Sequence, residues 1–181
     1  MLFLLLAEGF EEVEAIATLD VLRRAGVEVM TAGVTGKTVT GSHGIAVEAD
    51  ITVGDIVPGP ALDGVILPGG MPGTKNLEAS DDVKDLLRFC ADHDRLLAAI
   101  CAAPSVLGHE GLLTGKKATC FPGWEPELTG AVCTGDPVTE DGNIITGKGA
   151  GAAHLFGAAI AARFAGTETA HNVLLGMQYK L

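Results

Sequence analysis

Basic residues are scarce in this chain. Lysine and arginine number 12 against 23 aspartates and glutamates, a net charge of −11. Nucleic acids and anionic membrane faces are bound through basic patches, so neither is expected as a partner. The acidic surplus speaks to solubility, and no partner follows from it. Long apolar runs are also missing: none approaches the ~20 residues that cross a bilayer as a helix. The first run, Leu2 to Ala7, has no basic segment before it and leads into Glu8, Glu11, Glu12 and Glu14. It is expected to be a buried strand rather than a leader. Cysteines number four (Cys90, Cys101, Cys120 and Cys133) and none forms a C-x-x-C pair. That argues against a disulfide framework and against a thiolate metal site. Free thiols in a reducing, cytoplasmic setting are expected, with no metal and no cofactor.

What the chain does have is apolar substance, 48% of 181 residues. That suits one domain spanning 1–181 with a sizeable core. Leu2 to Leu6 is apolar throughout, as in a strand covered on both faces. Glu11 to Ala25 has helical spacing, with Val13, Ile16, Ala17 and Val21 on one stripe, acids in the first turn and Gly26 as the stop. Asp20 falls on that stripe, which makes it a candidate buried carboxylate. Val27 to Thr31 is expected to be a strand, and Thr38 to Asp50 a hairpin around Gly41-Ser42-His43-Gly44. Gly64 to Leu67 is a further strand, followed by the glycine-rich loop Pro68 to Gly73. Val83, Leu86, Leu87 and Cys90 define a helix over Asp81 to Ala91. Leu96 to Ile100 is a strand, and Ala102 to Gly108 a helix with Pro104 in its first turn. Short strands and turns fill Lys117 to Lys148. A nearly all-apolar helix spans Gly151 to Ala165 and stacks Phe156, Ile160 and Phe164; a last one covers His171 to Gln178. Alternating strands and helices imply an α/β three-layer sandwich, flavodoxin-like, with a mostly parallel sheet between helices. Ligands in such folds bind beyond the carboxyl ends of the strands.

The most informative stretch is Ala98-Ala99-Ile100-Cys101-Ala102-Ala103-Pro104. A nucleophile elbow turns sharply from strand to helix and needs small residues two before and two after the nucleophile. Here these are Ala99 and Ala103. The following helix would aim its N-terminus at the Cys101 sulfur and favour the thiolate, the reactive form. The alternative is that Cys101 is one more buried core cysteine. Cys90, Cys120 and Cys133 are expected to be structural.

With four other stretches in register, the elbow carries a family resemblance. They are Glu8-Gly9-Phe10-Glu11-Glu12-Val13-Glu14, Asp20 to Gly26, Leu67-Pro68-Gly69-Gly70 and Thr146-Gly147-Lys148-Gly149-Ala150-Gly151. Nearly end to end, the chain resembles the ThiJ/PfpI superfamily, closest to the branch named for the parkinsonism-associated protein deglycase (DJ-one). The resemblance implies a carboxylic acid beside the cysteine, which falls on Glu14. It also implies an oxyanion hole from the backbone N–H groups of Gly70 and Ala102, with Gly69 and Asp20 in support, and a homodimer. A Cys-His hydrolase of the family's proteolytic kind is disfavoured, because the residue after the cysteine is Ala102. The branch's histidine before a proline is replaced by Phe121, and its frequent arginine by Lys148. His43 and His154 are the candidates for any histidine-assisted step. The implied function is a cofactor-independent enzyme acting on small 2-oxoaldehydes or glycated substrates through Cys101 and Glu14. The alternatives are a redox sensor in which Cys101 is oxidised to sulfinate, and a chaperone-like interaction protein.

Overall fold

The computed structural model describes residues 1–180. In chain order the elements begin with β1 (Leu2–Leu6), α1 (Glu12–Arg24) and β2 (Val29–Gly33). The hairpin β3 (Thr38–Thr40) and β4 (Ala46–Glu48) follows, then β5 (Ile51–Thr52), β6 (Gly64–Leu67), α2 (Gly73–Ala79) and α3 (Asp81–Asp92). Next come β7 (Leu96–Ile100), α4 (Pro104–His109), β8 (Lys117–Ala118) and β9 (Val132–Cys133). The chain ends with β10 (Val138–Asp141), β11 (Ile144–Gly147), α5 (Ala153–Ala165) and α6 (Thr167–Gly176).

Seven strands form the main sheet in the order β10-β11-β7-β6-β1-β2-β5. Every pairing is parallel except that of the edge strand β10 with β11. The two faces of the sheet are read directly from strand alternation. Leu2, Leu4, Leu6, Ile66, Ala98 and Ile100 pack with α1, α5 and α6. Leu5, Val65, Leu67, Leu97 and Ala99 pack with α2, α3 and α4. The central strands are therefore apolar on both sides, and β7 is buried along its whole length. From β1 the chain steps outward to β2, then returns to β6 on the other side. The loops after β1 and β6 thus flank a point where strand order reverses, the location at which open α/β sheets bind ligands.

Several expectations are corrected. Of the expected stripe, Val13 and Ile16 do not face the core, being 50% and 41% exposed, while Ala17 is partly buried against it. The buried side of α1 is Ala15, Thr18, Leu19, Val21 and Leu22. It packs closely on α5 because Gly157 has no side chain there; a Cβ on Gly157 would lie 3.1 Å from Val21. Asp20 lies on the outward side, in an i,i+4 ion pair with Arg24 at 2.7 Å. It is not a buried carboxylate. The second strand begins two residues later than expected, the glycine-rich loop runs into the unforeseen helix α2, and Phe164 ends α5 40% exposed. Among the described residues, no helix is long and apolar enough to cross a membrane. The four cysteines are free.

Candidate active site

Parallel register brings three loops together at one edge of the sheet. Leu67 is level with Ala99, and Gly147 with Ile100, so the chain leaves β6, β7 and β11 side by side. Cys101 follows β7 directly and has φ of +66°. A non-glycine residue in this region holds strain of about 1–3 kcal/mol, sustained only by the surrounding structure. Two backbone hydrogen bonds hold it. The Cys101 N–H donates to the Gly147 carbonyl at 2.9 Å, and its own carbonyl accepts from the Phe121 N–H at 2.9 Å. Ala99 and Ala103 are fully buried on either side of the turn. Helix α4 starts only at Pro104, two residues later than expected, and has six residues. Its dipole is correspondingly weaker support for a charged sulfur.

Glu14 comes to the same place from α1. Its backbone N–H is capped by the Glu11 side chain at 2.6 Å. Its side chain is 1% exposed, and Oε2 accepts from the Gly69 N–H at 2.8 Å. Oε1 has no hydrogen-bond partner, and the carboxyl and the Cys101 thiol shift each other's titration. The backbone N–H groups of Ala102 and Gly70 favour the charged form of that sulfur. Gly69 must be glycine, since a Cβ there would sit 2.6 Å from Cys101 Cβ and 2.7 Å from Glu14 Oε2. Gly70 has φ of +93° and presses against the backbone of Glu11.

Burial pushes the Glu14 carboxyl up to about 7, although its hydrogen bonds to Cys101 and Gly69 pull it down. The Cys101 thiol is pushed up to about 12, first by burial and then by the charge and hydrogen bond of Glu14. This is opposite to the expectation from a helix dipole. The Ala102 and Gly70 N–H groups act the other way. The Glu14 contributions to the thiol exist only while Glu14 is ionised. With the carboxyl near 7 and the thiol near 12, the pair loses its first proton around neutral pH and titrates as a unit.

The other expected residues lie elsewhere or engage other partners. His43 is on the exposed hairpin and binds Glu12, with Nδ1 2.9 Å from Oε2. Glu12, in the acidic first turn of α1, is only 6% exposed. Burial alone would push it up, but hydrogen bonds from His43 and from the backbone of Glu12, His43 and Ile45 hold it at about 2. His43 is correspondingly raised by Glu12. Ligand atoms of Glu11, Glu12 and His43 lie within 4.8 Å of one another, but these carboxylates already cap α1 and the hairpin. His154 packs against Tyr179. Lys148 turns its ammonium to the Gly135 carbonyl at 2.9 Å. Phe121 is 49% exposed, and with Lys148 it lines a cavity of about 550 Å³. Sequence reasoning gave no role to Gly147, whose carbonyl anchors the elbow. A Cβ there would lie 2.9 Å from the Ile100 side chain, and its place in Thr146-Gly147-Lys148 was the available signal.

An open α/β sheet with a strained cysteine elbow and a buried carboxyl at its switch point defines a class of cysteine-centred α/β proteins. The comparisons narrow that class: residues 1–163 match the DJ-1/PfpI family, and the chain belongs to that family. It is 39% identical over 176 residues to protein dj-1beta of Drosophila melanogaster, covering 96% of this chain and 94% of that one. It is 33% identical to a Caenorhabditis elegans protein named glutathione-independent glyoxalase DJR-1.2, covering 96% and 92%. A crystal structure of a cysteine-to-alanine mutant of a DJ-1 superfamily protein from Salmonella typhimurium superposes with a TM-score of 0.94. It is 34% identical, with 99% of this chain and 98% of that one covered.

Proposed function

We propose that the protein converts 2-oxoaldehydes to 2-hydroxy acids without glutathione or any other cofactor. Cys101 sulfur adds to the aldehyde carbon; the carbonyl electron pair moves to oxygen, which takes the Glu14 proton. This gives a hemithioacetal whose oxygen forms within reach of the Gly70 and Ala102 N–H groups. Glu14, now a carboxylate, removes the proton on the former aldehyde carbon and returns it to the neighbouring carbon through an enediol. One carbon is oxidised and its neighbour reduced, so no external electron carrier enters. The product is a thioester, and water cleaves its C–S bond to release the acid and regenerate the thiol. Removal of early glycation adducts from proteins uses the same groups.

The observation that carries this reading is the buried Glu14 carboxyl, with Oε2 bonded to the Gly69 N–H, Oε1 unpartnered, and Cys101 on the other side of the same glycine. The name of the nematode relative supports it. The test is methylglyoxal consumption in glutathione-free buffer. Wild type turns over, while Cys101→Ala and Glu14→Gln, both folded, each lose at least ~100-fold. Undiminished turnover in Cys101→Ala rejects the mechanism.

A redox role is the second reading, favoured by the N–H donors at the sulfur, which suit the oxygens of a sulfinate. Mild peroxide would then oxidise Cys101 ahead of the other three cysteines, as read by mass spectrometry. The protein is further proposed to act in the cytoplasm as a homodimer, with the exposed Val13, Ile16 and Ile45 covered by a second copy. A monomeric mass in sedimentation would reject the dimer.

A further inference from the structure

The cavity of about 550 Å³ lies between segments that lead away from the elbow. Its walls are two chain segments tied to the Cys101 backbone: Phe121 with Pro122, which follow the N–H bond to the Cys101 carbonyl, and Lys148 to Ala152, which follow Gly147. Leu155 and Tyr179 close the far side. Small-ligand sites run to roughly 300–1,000 Å³, so this space greatly exceeds what one methyl group fills. The lining is apolar apart from the Tyr179 hydroxyl and Lys148, whose ammonium is held by Gly135. Phe121 belongs to neither core cluster, and its ring lies half in solvent, over Gly149. A large aromatic face left open beside a nucleophile is hydrophobic surface available to a ligand.

We propose that this cavity receives the substituent R of a substrate R–CO–CHO, and that Phe121 makes the site selective for aryl and other bulky apolar groups over methyl. The inference rests on the 2-oxoaldehyde reading above and names its substrate class. Bond changes are those already given, with R carried unchanged from aldehyde to acid. Phenylglyoxal and water would yield mandelate, where methylglyoxal and water yield lactate. Phenylalanine offers no hydrogen bond, so a polar substituent gains nothing from it.

The test compares initial rates on phenylglyoxal and methylglyoxal for wild type, Phe121→Ala and Phe121→His. Each apolar carbon placed in such a pocket changes kcat/KM by about 10-fold or more. Wild type should therefore favour phenylglyoxal at least ~10-fold, and Phe121→Ala should collapse that ratio mainly through KM. A ratio unchanged in Phe121→Ala, or a wild-type preference for methylglyoxal, overturns the proposal. A second measurement requires no turnover. Mandelate should protect Cys101 from iodoacetamide at concentrations where lactate does not, and Phe121→Ala should abolish that protection. Protection without turnover would keep the aryl subsite and reject the enzyme reading; equal protection by the two acids rejects the subsite.

Discussion

Gly69→Ala probes the juxtaposition of the carboxyl and the sulfur without touching either. The added methyl would meet Cys101 Cβ at 2.6 Å, Glu14 Oε2 at 2.7 Å and the Ile100 carbonyl at 3.0 Å. Carbon contacts settle near 3.5–4.0 Å, so the groups must part by about 1 Å. Cys101 Cβ and the Ile100 carbonyl cannot swing aside, and the Glu14 carboxyl, though a side-chain end, is bonded to the Gly69 N–H. Cys101 is fixed by two backbone bonds, and Glu14 is buried on α1. Misplacing reacting groups by ~1 Å costs about 100-fold in rate, and overpacking of this kind costs about 1–3 kcal/mol in stability. The expected result is a folded protein with turnover down about 100-fold, slower alkylation of Cys101 and a lowered urea midpoint. Gly36→Ala is the control, because a Cβ there has nothing within 4 Å. Wild-type turnover and alkylation in Gly69→Ala would refute the claim that the two groups must touch.

Two further outcomes test the fold around the site. Phe156→Ala empties a fully buried position between α5 and the sheet and should cost about 3–5 kcal/mol in urea unfolding. The Glu12–His43 pair should give a pH-dependent stability. Glu12, held near 2 when folded against 4.5 otherwise, contributes above 4.5 and loses its share as pH falls toward 2. His43, raised above 6.5, contributes below 6.5 and loses its share as pH rises through its raised value. Melting temperatures should be best supported between these limits, and His43→Ala should remove the decline on the alkaline side.

The sheet was legible because its strands are short apolar runs bounded by glycine and acidic residues. β1, β6 and β7 fall where those runs fall. The elbow was legible because small residues flank Cys101 at the two positions where the turn crowds. The buried face of α1 was not. Two apolar stripes run along that helix, and which one packs depends on distant elements, among them α5, where Gly157 leaves room for Val21. Glu12 was hidden for a similar reason: its partners are backbone N–H groups some thirty residues away, and no local pattern announces them. The charge on the sulfur depends on burial and on a shared proton, neither of which a sequence spacing encodes.

The rate of Cys101 alkylation by iodoacetamide against pH, in wild type and Glu14→Gln, tests the shared proton most directly. A coupled pair gives up its first proton no later than its more acidic member does, so the wild-type midpoint should lie at or below about 7. Glu14→Gln removes one of the two routes by which that proton leaves, and the midpoint should rise. A wild-type profile with no inflection at or below about pH 7, or the same midpoint in both proteins, would contradict the account.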